Sequence, residues 1–502
     1  MQKNNLRSIC IVGGGTAGWM AANLLSSALR GSNITITLIE SPDIASIGVG
    51  ESTVPSIMDF LSFCSIDPKD FIESVGGSFK LGIRFDNWLN SSNSFFHPFG
   101  RVGEKINGYE FYQAWIKTIC DGYETRWVDH SPSAVMAEND RFILASPQQK
   151  MQFPQYNYAL HIDAVLAARY LRAVAQSNGV QRIEDSVTNV IVNDQQFIDT
   201  VELANGDSIA ADFFIDCTGF KSVLIEGALN IGYESWGNYL LCDRAAVVQT
   251  ENKGDAHPYT IATARDAGWT WKIPLQYRIG NGYVFSSQFC SDKKAVDTLL
   301  ESVEGRVLTE PKIIPFATGK RKKIWHKNCL ALGLSSGFLE PLESTAIHLI
   351  YQTLIHFIKH FPDKDFDPHV ERKFNQSIDV DYQEIRDFII LHYCTSQRED
   401  TEFWKKCKLM DIPDTLQEKI EVFRSRGQLY NQPEQFFGND SWISILEGMN
   451  IRPKKHHPLM DSFDKFYLAK LLDGNARKIR DGVKKMPFHL DFIENNCKAK
   501  HS

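Results

Sequence analysis

The sequence predicts an α/β fold: a Rossmann-like dinucleotide-binding module, an added β-sheet and a mainly helical C-terminal part. Three observations predict it. The chain opens on a strand, a glycine turn and a helix. Its middle alternates short apolar strands with hairpin signals. Its last third carries apolar residues at helical spacing. The division that follows is 1–365 for the module with its interleaved sheet and 366–502 for a helical part covering the substrate side.

Ser8–Val12 is an apolar strand running into Gly13-Gly14-Gly15-Thr16-Ala17-Gly18. A helix is expected from Trp19 to about Leu29, then a strand over Ile34–Ile39 that ends at Glu40. This is a dinucleotide fingerprint. Gly13, Gly15 and Gly18 allow the tight turn and close pyrophosphate approach, and the helix start with Thr16 and Ala17 faces the phosphates. Glu40, about twenty residues on, is placed for a ribose. The fingerprint does not separate FAD from NAD. Downstream, Val187–Val192 and Phe197–Leu203 read as strands, with Asn205-Gly206 as a hairpin turn. An apolar strand, Phe213–Ile215, then ends in Asp216-Cys217-Thr218-Gly219. A polar hairpin followed by such a strand and turn tilts the cofactor towards FAD.

Between these parts lie three stretches with chemical content. Ile47–Pro55, IGVGESTVP, has two glycines around Val49 that permit close backbone approach to a ligand, or simply a turn before a helix. Lys80 sits in an apolar and aromatic setting, GGSFKLGIRFDNW. Desolvated, such a lysine has a lowered pKa and can act chemically; on an amphipathic strand it would instead snorkel to water. Phe95-Phe96-His97-Pro98-Phe99 clusters aromatics that line a pocket or fill a core. Helix is expected over His161–Ser177. In Gly268–Pro274, GWTWKIP, strand alternation puts Trp269, Trp271 and Ile273 on one face.

A strand-like run, Cys329–Leu334, leads into GLSSGFLEPLESTAI and then a helix from Ser344 to about Phe361. Pro341 stiffens the turn between Glu340 and Glu343. Ser344 or Thr345 is the expected side-chain cap, and the helix start offers unpaired N–H groups to a small anion. An acid beside an anion site is an unusual neighbour, although such a Glu alone reads as a loop residue. Helices follow over Pro368–Cys394, Asp414–Arg424 and Asp461–Met486, with Ser425–Pro433 as the expected flexible loop.

Composition narrows the function classes. The 502 residues are 43% hydrophobic and 23% charged, enough for a substantial core. A net charge of −7 gives no sign of nucleic-acid binding, and the basic clusters Lys320–Lys323 and Lys454–His457 read as solvated surface. No apolar run approaches the ~20 residues of a membrane span, and the N-terminus lacks a signal-peptide pattern. Ten cysteines without a CxxC pair read as reduced, buried thiols (Cys10, Cys217 and Cys329 among them), so neither a metal site nor disulfides are expected, and a cytoplasmic location is.

Together these pieces resemble the flavin-dependent tryptophan halogenases, over Ile11 to about Pro453. The motifs are GGGTAGW (Gly13–Trp19), VGEST (Val49–Thr53), FKLG with NW (Phe79–Gly82, Asn87-Trp88), WTWKIP (Trp269–Pro274), EPLEST (Glu340–Thr345) and REDTEFW (Arg398–Trp404). WxWxIP is the most specific, since it separates halogenases from related aromatic hydroxylases. The resemblance implies that a separate NAD(P)H-dependent flavin reductase supplies FADH2. With O2, chloride or bromide is then oxidised to hypohalous acid, which reaches a lysine beside a small electron-rich aromatic substrate. Carried over by motif, Lys80 is that lysine and Glu343 the assisting acid. The backbone N–H groups of Thr345 and Ala346 seat the halide. Ile47, Val49, Ser52, Val187, Leu334 and Ile347 join the flavin contacts, and His97, Phe99, Phe436 and Phe437 the substrate site. A homodimer is left open.

Three departures matter. Ala346 stands where the family pattern has Gly, so the halide seat is tighter and bromide becomes a live alternative to chloride. The GNAAGF-like turn reads GLSSGF. The acid before the Phe-Trp pair that grips free tryptophan is missing from Gln432-Pro433-Glu434-Gln435-Phe436-Phe437 at the aligned place, although Glu434 is close. An indole- or phenol-like ring without the amino-acid handle is therefore favoured over free tryptophan. The main rival is an FAD-dependent aromatic monooxygenase that hydroxylates.

Overall fold

The computed structural model describes residues 4–42, 50–144, 156–254, 257–430 and 435–500. Ile47, Val49 and the 431–434 part of the expected loop therefore lie outside the described residues.

The first sheet has six strands. Ser8–Val12 lies at its centre, parallel to Thr35–Glu40 on one side and Phe213–Asp216 on the other. Gln181–Glu184 extends it beyond Thr35–Glu40, and Cys329–Ala331 beyond Phe213–Asp216, both in parallel. These strands are apolar because helices cover the sheet. The helix Thr16–Ala28 begins three residues earlier than the sequence predicts, with extended Gly15 as its N-cap. The glycine turn thus passes directly into the helix. Gly13 needs its glycine: φ is +117°, and a Cβ there would stand 2.2 Å from the Cys217 carbonyl oxygen.

The predicted hairpin forms as Val187–Val192, Ile198–Leu203 and Ser208–Ala210, turning at Asn205-Gly206. The helix expected from His161 starts only at Ala164, because Ala159–Asp163 is a buried strand. Asp163 ends that strand and caps the helix by accepting from the N–H groups of Val165 and Leu166. The strand Cys329–Ala331 is shorter than predicted, because Gly333 at φ +66° turns the chain into a single 3-10 turn.

A seven-stranded sheet carries the second half of the site. Gly268–Pro274 lies between Arg278–Phe285 and Thr260–Arg265, and Gly82–Asp86 with Ser94–Pro98 completes one edge. The indole of Trp271 occupies the space over Gly282, where a Cβ would come within 2.2 Å of the ring. The helix Asn439–Gly448 packs on Ser94–Pro98, and the helix Pro368–Cys394 reaches the same edge through His392 against Phe85 and Phe388 against His97. The chain end returns to the same region, where Phe492 and Phe79 stand 5.7 Å apart edge to face.

The basic cluster at 320–323 is not solvated surface throughout. Lys320 is buried, pairing with Asp379 at 2.7 Å and Glu234 at 3.4 Å. Arg321 is buried too and pairs with Glu226. Partners distant in sequence supply the counter-charges that local composition cannot reveal. Of the ten free thiols, seven are buried, Cys217 and Cys394 are partly buried, and Cys120 is exposed.

Candidate active site

The glycine turn, the end of Thr35–Glu40, the hairpin and the 333–350 segment enclose one cavity of about 670 Å³. Gly13, Gly15, Thr16, Ala17, Glu40, Ser52, Val187, Leu334, Thr345, Ala346 and Ile347 all line it, as do Trp269, Trp271 and Ile273. The alternation of GWTWKIP therefore turns its tryptophans towards the cavity. Gly18 does not line it. Its place is structural, since a Cβ there would lie 1.9 Å from the Gly13 carbonyl oxygen. Glu40 stands at the cavity wall, held by Arg182 Nε at 2.7 Å.

The residues present fit a dinucleotide such as FAD. A Cβ at Gly15 would meet nothing within 4 Å, so the turn leaves open room before a helix N-terminus. Two buried polar atoms at the cavity wall lack a protein partner among the described residues: Trp271 Nε1 and one Glu51 oxygen. Burial, with Asp163 nearby, pushes the Glu51 carboxyl up to about 7.

Beyond Ser344 lies a second, aromatic cluster. Lys80 is wholly buried on the strand Ser78–Lys80. Its Nζ donates to the Thr53 carbonyl at 3.0 Å and to Ser344 Oγ at 2.8 Å, and stands 4.9 Å from the Phe99 ring centroid. Burial pulls its pKa down to about 7, with Glu343 opposing. The snorkelling alternative is thereby excluded. Ser344 adopts a left-handed conformation, φ +59°, and neither it nor Thr345 caps the helix Ala346–Lys359 through its side chain. The N-cap position falls on Thr345, whose helical backbone does not present its hydroxyl to the helix start, while the Ser344 hydroxyl accepts from Lys80. The N–H groups at that helix start have no acceptor among the described residues, and Ala346 lies open to the cavity.

Glu343 is buried between two imidazoles. His97 Nδ1 lies 2.9 Å from Oε2, and His392 Nε2 lies 2.9 Å from Oε1. The second contact is oblique, an ion pair more than a linear hydrogen bond. Burial pushes the Glu343 carboxyl up, but the two imidazoles outweigh it and hold the group down to about 2. On its other side, His392 Nδ1 lies 2.8 Å from the Phe388 carbonyl oxygen.

His97, Phe99 and Phe437 come together, with both phenylalanine ring centroids 6.4 Å from that of His97. Phe436 stands to the side, stacked at 3.7 Å on His348. His392 carries no sequence signal, since it lies late in a long helix with no motif around it. Helical spacing puts it one turn from Phe388, the only trace available. Glu340, the other acid of EPLEST, is structural: it accepts from Trp269 Nε1 at 2.8 Å and Tyr393 Oη at 2.6 Å.

The tryptophan halogenase family model matches residues 8–465. The chain belongs to the tryptophan halogenase family. It is a flavin-dependent halogenase, an oxidoreductase. Tryptophan 6-halogenase SttH of Streptomyces toxytricini is 35% identical over 496 residues, covering 92% of this chain and 93% of that protein. Two flavin-dependent halogenase structures superpose over nearly the whole halogenase chain. Xcc4156 from Xanthomonas campestris has a TM-score of 0.95 at 38% identity, covering 99% of this chain and 100% of its own. BrvH from Brevundimonas sp. BAL3 has 0.93 at 40%, covering 98% and 99%. Among the described residues no helix is long and apolar enough to cross a membrane, and no metal-binding cluster occurs.

Proposed function

We propose that this halogenase chlorinates or brominates a small, electron-rich aromatic ring, indole-like and without need of an amino-acid handle. The observation that carries the reading is the placement of Lys80. It is dehydrated, hydrogen-bonded to a residue of the cavity wall, Ser344, and backed by an unreactive ring, Phe99. FAD, reduced by a separate NAD(P)H-dependent reductase and bound in the cavity, supplies with O2 the oxidising equivalent. The Gly13–Ala17 turn, Glu40, Ser52, Val187, Leu334 and Ile347 would hold it, with Trp271 and Trp269 shielding the site from water.

The N–H groups of Thr345 and Ala346 hold the halide before oxidation, as a helix start favours an anion. Hypohalous acid then passes Ser344 to Lys80, which retains it by hydrogen bond or as a haloamine. The path must be enclosed, because free hypohalous acid attacks side chains. Attack of the ring on the halogen breaks the O–X bond, the oxygen leaving as water with a proton from Lys80, and gives a cationic arenium that regains aromaticity by losing its ring proton to Glu343 or to water. Glu343, held ionised by His97 and His392, stabilises that charge and orients the oxidant. The same carboxylate is placed to take the ring proton, since an arenium is a far stronger acid than a carboxylic acid.

The test combines the protein with FAD, a generic flavin reductase, NADH, and chloride and bromide in competition. Indoles and phenols are offered together and products read by mass spectrometry. The expected product bears a halogen isotope pattern. A product heavier by one oxygen, without halogen, would overturn the reading in favour of an aromatic hydroxylase.

A further inference from the structure

Glu384, on the helix Pro368–Cys394, points its carboxylate at two successive backbone N–H groups of the aromatic segment. Oε2 accepts from Phe436 N–H at 2.9 Å, and Oε1 accepts from Phe437 N–H at 2.9 Å. Each oxygen of one buried carboxylate thus holds one residue. Charge-assisted bonds of this kind are about twice as strong as neutral ones, and the pair fixes orientation as well as position. The rings so held make further contacts. Phe437 stacks on Phe388 with centroids 3.7 Å apart, one helical turn beyond Glu384, and Phe436 stacks on His348 of the Ala346–Lys359 helix. The latch therefore joins the substrate wall to the two helices that also carry the halide seat and His392.

We propose that Glu384 is the positioning residue of the substrate site, its carboxylate setting where Phe436 and Phe437 stand and thereby the affinity for the aromatic ring. This rests on the reading that the ring binds beside His97, Phe99 and Phe437. Charges facing Glu384 are Lys419 on the helix Asp414–Arg426 and Asp381 on its own helix. Burial, against the two N–H bonds, pushes the carboxyl up to about 7.

Glu384→Gln separates the latch from simple space filling. The amide keeps the volume, but its oxygen accepts only one N–H and its nitrogen meets the other donor head on. Two measurements are made on the full-length flavin-loaded protein. Amide hydrogen exchange at Phe436 and Phe437 is expected to accelerate about tenfold or more. KM for indole is expected to rise about tenfold, with kcat within about threefold. Glu384→Asp, which keeps the charge but is a methylene shorter, gives an intermediate result and replaces the Gln variant if that fails to fold. Unchanged exchange, or an unchanged KM with a reduced kcat, overturns the proposal. Exchange reads the latch without turnover, so absence of halogenation in the native protein would sink the functional reading and leave the latch to be judged separately.

Discussion

Lys80 Nζ donates to Ser344 Oγ across 2.8 Å, joining the FKLG strand to the residue after Glu343. Two departures from ordinary structure lie beside this bond. Ser344 takes a left-handed φ of +59°, which few non-glycine residues adopt. The following helix has no side-chain cap, a loss of about 1 kcal/mol in ordinary helices. The left-handed Ser344 and the uncapped helix start at Thr345 are neighbours in the segment proposed above to carry the chemistry.

Lys80→Ala should therefore cut halogenation by about 10³ while flavin affinity changes less than about twofold. Flavin titration and product mass are the two readings. A variant that still halogenates removes Lys80 from the chemistry.

The same burial has a cost in stability, which depends on pH. Unfolded, Lys80 titrates at its ordinary 10.5; folded, near 7. Between those values the unfolded chain binds the extra proton, so native stability rises with pH across that window. Lys80→Met removes the penalty. At pH 7 it should melt about 2–4 °C above the native protein, with the gap closing towards pH 10. Melting curves at several pH values decide it, and a gap independent of pH argues against the assignment.

Glu343 Oε1 and His392 Nε2 lie 2.9 Å apart in the core. Glu343→Gln should lower kcat by about 10² with flavin binding intact. His392→Asn leaves the buried carboxylate with one imidazole, so it should both slow turnover and destabilise the fold by about 3 kcal/mol. If the two share one function, the double variant is little slower than Glu343→Gln alone. Fully additive losses would mean that His392 acts elsewhere.

Ala346 stands in the proposed halide seat where the resemblance leads one to expect Gly. Its methyl lies at the helix start, open to the cavity. A methyl there holds an anion away from the N–H donors, and the smaller, more strongly hydrated chloride loses more by that distance. Ala346→Gly should raise the chloro-to-bromo product ratio by about tenfold, or about 1.4 kcal/mol of preference. Competition in equal halide concentrations measures it directly.

Much of this was legible in the sequence because the signals are local. The glycine turn, Asn205-Gly206 and the alternation of GWTWKIP each state their geometry within a few residues. What was missed depends on pairings across the chain. Ser344 reads as a helix cap, but its hydroxyl accepts from Lys80, far away in sequence. Lys320 reads as solvated until Asp379 covers it. His392 and Glu384 carry no motif, because their meaning comes from Glu343 and from the backbone of Phe436 and Phe437.

Substrate choice gives the last prediction. Gripping the ammonium of free tryptophan requires a carboxylate facing the substrate wall. The acid bonded to that wall, Glu384, already accepts from Phe436 N–H and Phe437 N–H, so its oxygens are engaged with the protein itself. Binding then rests on the ring, through Phe99, Phe437 and His97, whose Nε2 is buried without a partner among the described residues. An indole lacking the amino-acid group loses nothing there, whereas tryptophan must dehydrate two charges without matched partners among the described residues. Indole should show kcat/KM at least about tenfold above that of tryptophan. Steady-state rates on the two substrates, followed by chromatography of the halogenated products, provide the comparison, and a preference for tryptophan would require an ammonium site that the described residues do not supply.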